Sequence, residues 1–403
     1  MGLKGIVLSD VTLSSNPRLV LQHVTIGYSL PELVSGHLHD LTLSGLTLEV
    51  QQTPNKWNVS GLDGWHSNTP STPFAIPMSA DQLTKYPQNA KLEDSMLHVL
   101  GNQWKLDLPL RVTWQQLPIT QLDYNASTLK LTAGEVQAET SNASFHMTLS
   151  NAKKWEGTWH IADIAIKTAA ASDMPVLQGN GTLIVDANHA VLEGKFNSAD
   201  TSYNAAFHID YALSASAKSQ AIVSVISLPW NGGRLSAHNV RLPMAANETL
   251  NATLEVEHVS IAELMQSLTG KRATGTGVVS GKLPITLNKD GSITLHDGAL
   301  QADEPGTIAL SPDAIPGDNQ QVVLVRQVLE DLHYNVLSIA VDNGADKKLS
   351  VMMTLQGNNP KVYKDKPVKL NVHLTGDILD VVRQSMLTSN PTKLLQQGEH
   401  DKK

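Results

Sequence analysis

Four short patterns in the sequence have spacings that support chemistry in other settings. His37-Leu38-His39-Asp40 places two imidazoles on one strand face, a spacing suited to a metal ion. No third ligand follows at a fixed offset and the 15 histidines are scattered, so a solvated strand face is the stronger reading. Ser150-Asn151-Ala152-Lys153 has the S-x-x-K spacing of β-lactamase-like serine enzymes. It falls in a polar turn rather than at the start of an apolar helix, and the Ser-Asp-Asn and Lys-Thr-Gly companions are missing. Gly270-Lys271 lacks the phosphate-loop glycine five residues earlier, where Met265 stands. In Gly275-x-Gly277-x-x-x-Gly281 the third glycine of a dinucleotide loop would be residue 280, which is Ser280. These glycines read instead as a strand that needs close backbone approach. Asn58, Asn125, Asn142, Asn247 and Asn251 fit N-x-[ST], a pattern common by chance. No nucleophile–base or carboxylate arrangement has supporting spacing, so the sequence reads as non-enzymatic, with no metal and no cofactor.

Composition narrows the classes further. The 403 residues include no cysteine, which removes disulfide scaffolds, thiol nucleophiles and Cys-zinc sites. The net charge of −8 argues against a nucleic-acid partner, and 41% apolar residues against a disordered chain. Aromatics are only 4%, so any core is built from Val, Leu, Ile and Ala. No stretch has the ~18 apolar residues needed to span a bilayer, and Met1–Asp10 reads as the middle of a strand rather than a signal peptide. The chain thus reads as part of a longer protein, with no signal or transmembrane segment of its own.

The elements that would position any site are strands. Alternation recurs at Leu41, Leu43, then Leu46, Leu48, Val50 across Gly45; at Leu106–Trp114; and at Ala205, Phe207, Ile209, Tyr211, Leu213. It returns at Leu337, Ile339, Val341; at Leu349, Val351, Met353, Leu355; and at Val368, Leu370, Val372, Leu374. Period 2 puts each set on one face, opposite Thr, Ser, Asn, Asp, Lys and His. Turn signals at Asn180-Gly181, Asp290-Gly291, Asp297-Gly298, Gly317-Asp318 and Asn343-Gly344 separate the runs. The rhythm predicts roughly 25–30 strands. Helices are few. Ser260-Ile261-Ala262-Glu263 is a capping box before the stripe Ile261, Leu264, Met265, Leu268. Val325, Val328, Leu329 and Leu332 predict a helix over 321–333 that covers or ends the sheet, and Ile378, Leu379, Val382 and Met386 predict another before Pro391. A weaker helix falls at 79–85, and 68–77 reads as a Pro-rich loop.

Sheets rarely exceed ~10 strands without curling or splitting. Two kinds of architecture fit: a closed β-sandwich or β-solenoid that scaffolds partner proteins, or one long curled sheet whose apolar trough something else fills. At ~4.8 Å per strand, 25 strands stack to about 120 Å. Burying a 16-carbon acyl chain in such a trough is worth roughly 12 kcal/mol.

The stretch from about 250 to 376 carries a resemblance. A strand and capped helix (Leu254–Leu264) precede Gly275, Gly277, Gly281 and Pro284; then come Gly298, Pro305 and Gly306, a helix, and Leu355-Gln-Gly-Asn-Asn-Pro360 before Pro367–Val372. In that order they resemble the C-terminal region of the YdbH branch of the AsmA-like family of bacterial envelope proteins. Residues 1–250 match only in style. The resemblance implies a mainly β, taco-shaped groove of curled antiparallel sheet, bridging inner and outer membranes in the periplasm and moving phospholipids along its apolar interior. It implies an inner-membrane anchor in the full-length protein. It also implies a YnbE-like outer-membrane lipoprotein adding strands at the C-terminal end, and an accompanying YdbL-like periplasmic protein. The expected organisation is a groove segment at 1–250, a C-terminal groove region with capping helices at 251–390, and a polar tail at 391–403. The expected groove lining is Phe207, Ile209, Tyr211, Leu213, Leu337, Ile339, Val341, Val351, Met353, Leu355, Val368, Leu370, Val372 and Leu374. Gly275, Gly277, Gly281, Pro284, Gly298, Pro305, Gly306 and Pro360 are expected to serve packing.

Overall fold

A computed structural model describes residues 5–15, 18–29, 31, 34, 38–53, 56–60, 83–84, 86–101, 104–134, 136–150, 153–167, 175–200, 202–213, 219–243, 249–269, 273–288, 293–311, 320–343, 349–362 and 366–376. His37, the 68–77 loop, most of the 79–85 helix, Gly270-Lys271, Asp290-Gly291, Gly317-Asp318, the 378–391 stripe and the tail lie outside these residues. The described chain is mainly β, with 26 strands assigned to one mixed sheet and two helices. It divides into two compact units, residues 1–201 with 206–221 and residues 202–205 with 222–403.

The first unit begins with β1 (Gly5–Ser15), β2 (Arg18–Gly27), β3 (Asp40–Ser44), β4 (Thr47–Thr53) and β5 (Lys56–Val59). Then come β6 (Asn89–Leu100), β7 (Trp104–Gln115), β8 (Gln121–Ala126), β9 (Leu129–Ala133), β10 (Val136–Thr140) and β11 (Asn142–Leu149). It ends with β12 (Trp155–Lys167), β13 (Leu177–Val185), β14 (His189–Ser198) and most of β15 (Asn204–Ala212). Several short strands are halves of long ones. β3 and β4 both lie parallel to β6, broken at Gly45, whose φ of 74° suits only glycine without strain. β8 and β9 both pair with β7, and β10 and β11 both pair with β12. The parallel pairing departs from the all-antiparallel expectation. Because β3 enters β6 from a long connection rather than a hairpin, it can take either direction.

Bulges bend the long strands. Asp94 (φ 47°), Asp163 (φ 52°) and His258 (φ 51°) each sit where the register shifts by a residue. Asp and His are among the non-glycine residues that adopt this left-handed geometry most readily, and a bulge increases local bend and twist. Displaced backbone amides find side chains: Leu46 N–H donates to Ser95 Oγ at 3.0 Å and His258 N–H to Ser280 Oγ at 2.9 Å.

The second unit holds most of β16 (Gln220–Trp230), then β17 (Gly233–Leu242), β18 (Leu250–Ser260), α1 (Ile261–Thr269), β19 (Ala273–Gly275) and β20 (Val278–Leu287). It continues with β21 (Ile293–Leu295), β22 (Gly298–Ala302), β23 (Gly306–Leu310), α2 (Gln320–Leu329), β24 (Leu332–Asn343), β25 (Leu349–Asn358) and β26 (Val368–Gly376). Glu263 N–H donates to Ser260 Oγ at 3.4 Å, so Ser260 caps α1 where the sequence placed it, but the reciprocal half of the expected box is replaced, with Ser260 N–H donating to Asn231 O at 2.8 Å.

Three sequence expectations need correction. The helix expected over 321–333 ends at Leu329, and Leu332 and His333 open β24 instead. Apolar helix spacing at Leu332 coincides with the first inward position of a strand, so periodicity alone could not separate the two. Asn180-Gly181 is not a turn but the middle of β13. Asp297-Gly298 is a break between β21 and β22, both paired with β20, rather than a hairpin.

Candidate functional site

Registers carry the pattern across the sheet as rows of side chains. In the first unit one row runs Leu8, Val24, Leu43, Leu92, Val112, Tyr124, Phe145, Trp159, Gly181, Gly194, one residue from each of ten strands. Two residues along, a second row runs Ile6, Ile26, Leu41, Ala90, Trp114, Leu122, Met147, Gly157, Leu183, Leu192. No charged residue stands in either. At ~4.8 Å per strand each row is about 43 Å long. Of these residues only Val24, Met147 and Trp159 are buried, and Ile6 and Leu8 are each 44% exposed. A second layer packed on this face would have buried far more of it.

The opposite face is polar. One row there reads Thr25, Thr42, Lys91, Thr113, Asp123, His146, Thr158, Thr182, Glu193. Histidines pair with carboxylates on it: His146 Nδ1 with Asp123 at 2.5 Å, His98 with Asp107 at 2.5 Å, His189 with Asp210 at 2.6 Å, and His208 with Glu193 at 2.8 Å. Burial alone would raise the Asp107 pKa. The hydrogen bonds from His98 and Lys105 outweigh it and hold the carboxyl below its ordinary value.

In the second unit a row runs Leu235, Val256, Gly281, Leu300, Ile339, Met353, Val372. Beside it lie Gly298, Val341, Val351 and Leu374, and on the other side Leu337, Leu355 and Leu370. This face changes character along the strands. Leu337 and Leu355 are sealed in a core with Val328, Leu329, Leu332, Tyr334 and Ile261, so α1 and α2 contribute to the layer over that end. Ile339, Val341, Val351, Met353, Val368 and Leu370 are only half-buried. The neighbouring Met352 points to the other face and is 41% exposed.

The helical layer is held by specific contacts. Asn359 is fully buried; its Nδ2 donates to the carbonyls of Gln327 and Val328 at 3.0 and 3.1 Å, closing the C-terminus of α2, and its Oδ1 accepts from Lys361 N–H at 2.8 Å. Pro360 follows this cap directly. Tyr334 Oη donates to Thr276 O at 2.8 Å, and burial pushes its pKa up. A side chain on Gly277 (φ 98°) or Gly306 would meet Tyr334 Oη at 2.4 Å. One on Gly275 would press on Ile261, one on Gly281 would strike Ala299 O, and one on Gly298 would meet Leu283 at 2.8 Å. Gly275 and Gly281 lie on different strands, β19 and β20, with Gly277 in the break. Pro284 sits opposite Thr253 in β20, where its carbonyl accepts from His296 N–H at 3.0 Å; Pro305 links β22 to β23.

The remaining sequence candidates fall in β15 and after it. Phe207 stacks with Trp159 and Phe196, while Leu213 packs on Met147, Trp155 and Val185. Ile209 is half-buried and Tyr211 is 53% exposed. Ser150 and Lys153 lie in the turn between β11 and β12, joined by Lys153 N–H donating to Ser150 O at 3.1 Å. Among the described residues no three His, Cys, Asp or Glu side chains gather as metal ligands, and no helix is long and apolar enough to cross a membrane. Sequence reading missed the histidine–carboxylate pairs and the Asn359 cap. Both join residues distant in the chain, and only Asn358-Asn359-Pro360 hinted at the second.

Residues 204–399, just under half of the chain, match the model of the YdbH-like family, described as the intermembrane phospholipid transport protein YdbH. The match takes in the resemblance noted from the sequence and extends it upstream through β15. No curated protein and no solved structure matches the chain significantly.

Proposed function

We propose that this chain is a non-enzymatic conduit that carries phospholipid tails along the apolar face of its sheet between the inner and outer membranes of a bacterial envelope. The carrying observation is the pair of ten-strand apolar rows in which only Val24, Met147 and Trp159 are buried and most side chains stay half-buried. A closed sandwich that scaffolds partners would bury such a face, so it fits these rows less well. Hydrocarbon moved from row position to row position exchanges one apolar neighbour for another, so its free energy changes little along the path. The match to a phospholipid-transport family over 204–399 supports the substrate class. In this reading the half-buried positions Ile339, Val341, Val351, Met353, Val368, Leu370 and Val372 touch lipid. Leu337 and Leu355 form the sealed floor beside them.

The proposal extends to a periplasmic setting and to partners. Among the described residues β26 is paired with β25 alone, and we propose its other edge for strand addition by a YnbE-like lipoprotein, with a YdbL-like protein accompanying. The experiment uses a photo-crosslinking residue at Ile209 or Met353, compared with His208 or Met352. Phospholipid should be captured at the first pair several-fold more than at the second. Equal capture at both parities refutes the groove.

A further inference from the structure

The apolar face is not uniform, although the chain as a whole has only 4% aromatic residues. On β12 to β15 three rings gather: Trp159 and Phe196 have centroids 5.6 Å apart, Trp159 and Phe207 6.0 Å, and Phe196 and Phe207 5.7 Å. The Trp159–Phe207 and Phe196–Phe207 planes are inclined by only 26° and 21°, a stacked arrangement.

Glycines make this possible. Between β12 and β15 the row of Trp159 continues as Gly181 and Gly194. A Cβ on Gly194 would lie 2.0 Å from Trp159 Cζ2, and one on Gly181 would lie 2.7 Å from Trp159 Nε1. The indole therefore lies down in a dip that only glycine leaves, and its Nε1–H donates to Glu193 O at 3.0 Å. Trp159 is buried at 9% exposure, whereas Phe196 and Phe207 are half-open on top of it.

We infer that Phe196 and Phe207, levelled by Trp159 in its glycine dip, form a station where one hydrocarbon chain of a lipid rests. The inference rests on the conduit reading and deepens it. Elsewhere on the face a tail meets aliphatic side chains and the rings of Trp114, Tyr124 and Phe145, none of which stacks face to face with another. At this station it meets two rings already stacked on each other and packed on Trp159, so it gains contact area at little entropic cost. The station sets one place where a tail pauses along the path.

The test places p-benzoylphenylalanine at Phe207, Leu41 or Leu43 of the full chain, mixed with vesicles of dioleoyl phosphatidylethanolamine and phosphatidylglycerol. All three positions lie on the apolar face, and Leu41 and Leu43 are flanked across the sheet by aliphatic residues. Capture at position 207 should exceed that at 41 and 43 by about tenfold, the scale of one aromatic contact. Gly194→Ala, which lifts the indole, and Phe196→Leu, which keeps the apolar volume, should each bring capture at 207 down to the level of 41, with circular dichroism unchanged. Equal capture at the three positions overturns the station and leaves the conduit standing. Strong capture at 207 that survives both substitutions overturns the ring-built origin. No capture at any position overturns the station together with the conduit beneath it.

Discussion

Asn359→Ala tests how the helical layer is fixed over the sealed end of the second unit. The native side chain fills three hydrogen-bond roles while fully buried, two as donor to the last carbonyls of α2 and one as acceptor from Lys361 N–H. Alanine removes all three partners at once. Each buried polar group left unpaired costs about 1–3 kcal/mol, but entering water relieves part of this, so a net loss of about 3 kcal/mol is expected. With a urea slope of about 2 kcal/mol/M, the midpoint for the second unit should fall by about 1.5 M. Hydrogen exchange read by mass spectrometry should show the loss first in 320–329, and β17 and β18 should keep their protection. Asn359→Asp should be worse than alanine, because it sets a buried negative charge against the negative end of the helix and keeps only the acceptor. A midpoint shift below about 0.3 M, or an aspartate variant more stable than the alanine one, would refute this account of the cap.

Further outcomes concern the face and the bends. Leu370→Asp, on a half-buried position opposite Leu355, should abolish lipid transfer between vesicles while lowering stability by less than about 2 kcal/mol, since the charge can reach water from the last strand. Asp94→Val should destabilise by about 1–2 kcal/mol at its positive φ, whereas Asp94→Gly should stay within about 0.5 kcal/mol, as measured by thermal unfolding. Asp107 has its folded pKa depressed, so its stabilisation is complete above the ordinary value of 3.8 and is lost as the pH falls through the lower folded value. Asp107→Asn should therefore cost most near neutral pH, and the gap between variant and parent should close as the pH drops below about 4.

The sequence by itself determined the strand content, the absence of thiol chemistry, the Ser260 cap of α1 and the parity of each apolar set. All of these are local: alternation, capping and composition act over a few residues, where the chain has little freedom to override them. The quoted glycines and Asn358-Asn359-Pro360 were visible as a pattern, but not as physics. Only tertiary structure decided that Gly181 and Gly194 make a bed for Trp159 rather than a turn. It also decided that β3 and β4 run parallel to β6, that Leu332 begins a strand, and that Leu337 and Leu355 are sealed while Met353 stays half-open. Each depends on which residue lies across the hydrogen-bonded ladder. Register is set by long-range pairing and by bulges such as those at Asp94 and Asp163, whose effect on a neighbouring strand has no signature in either strand alone.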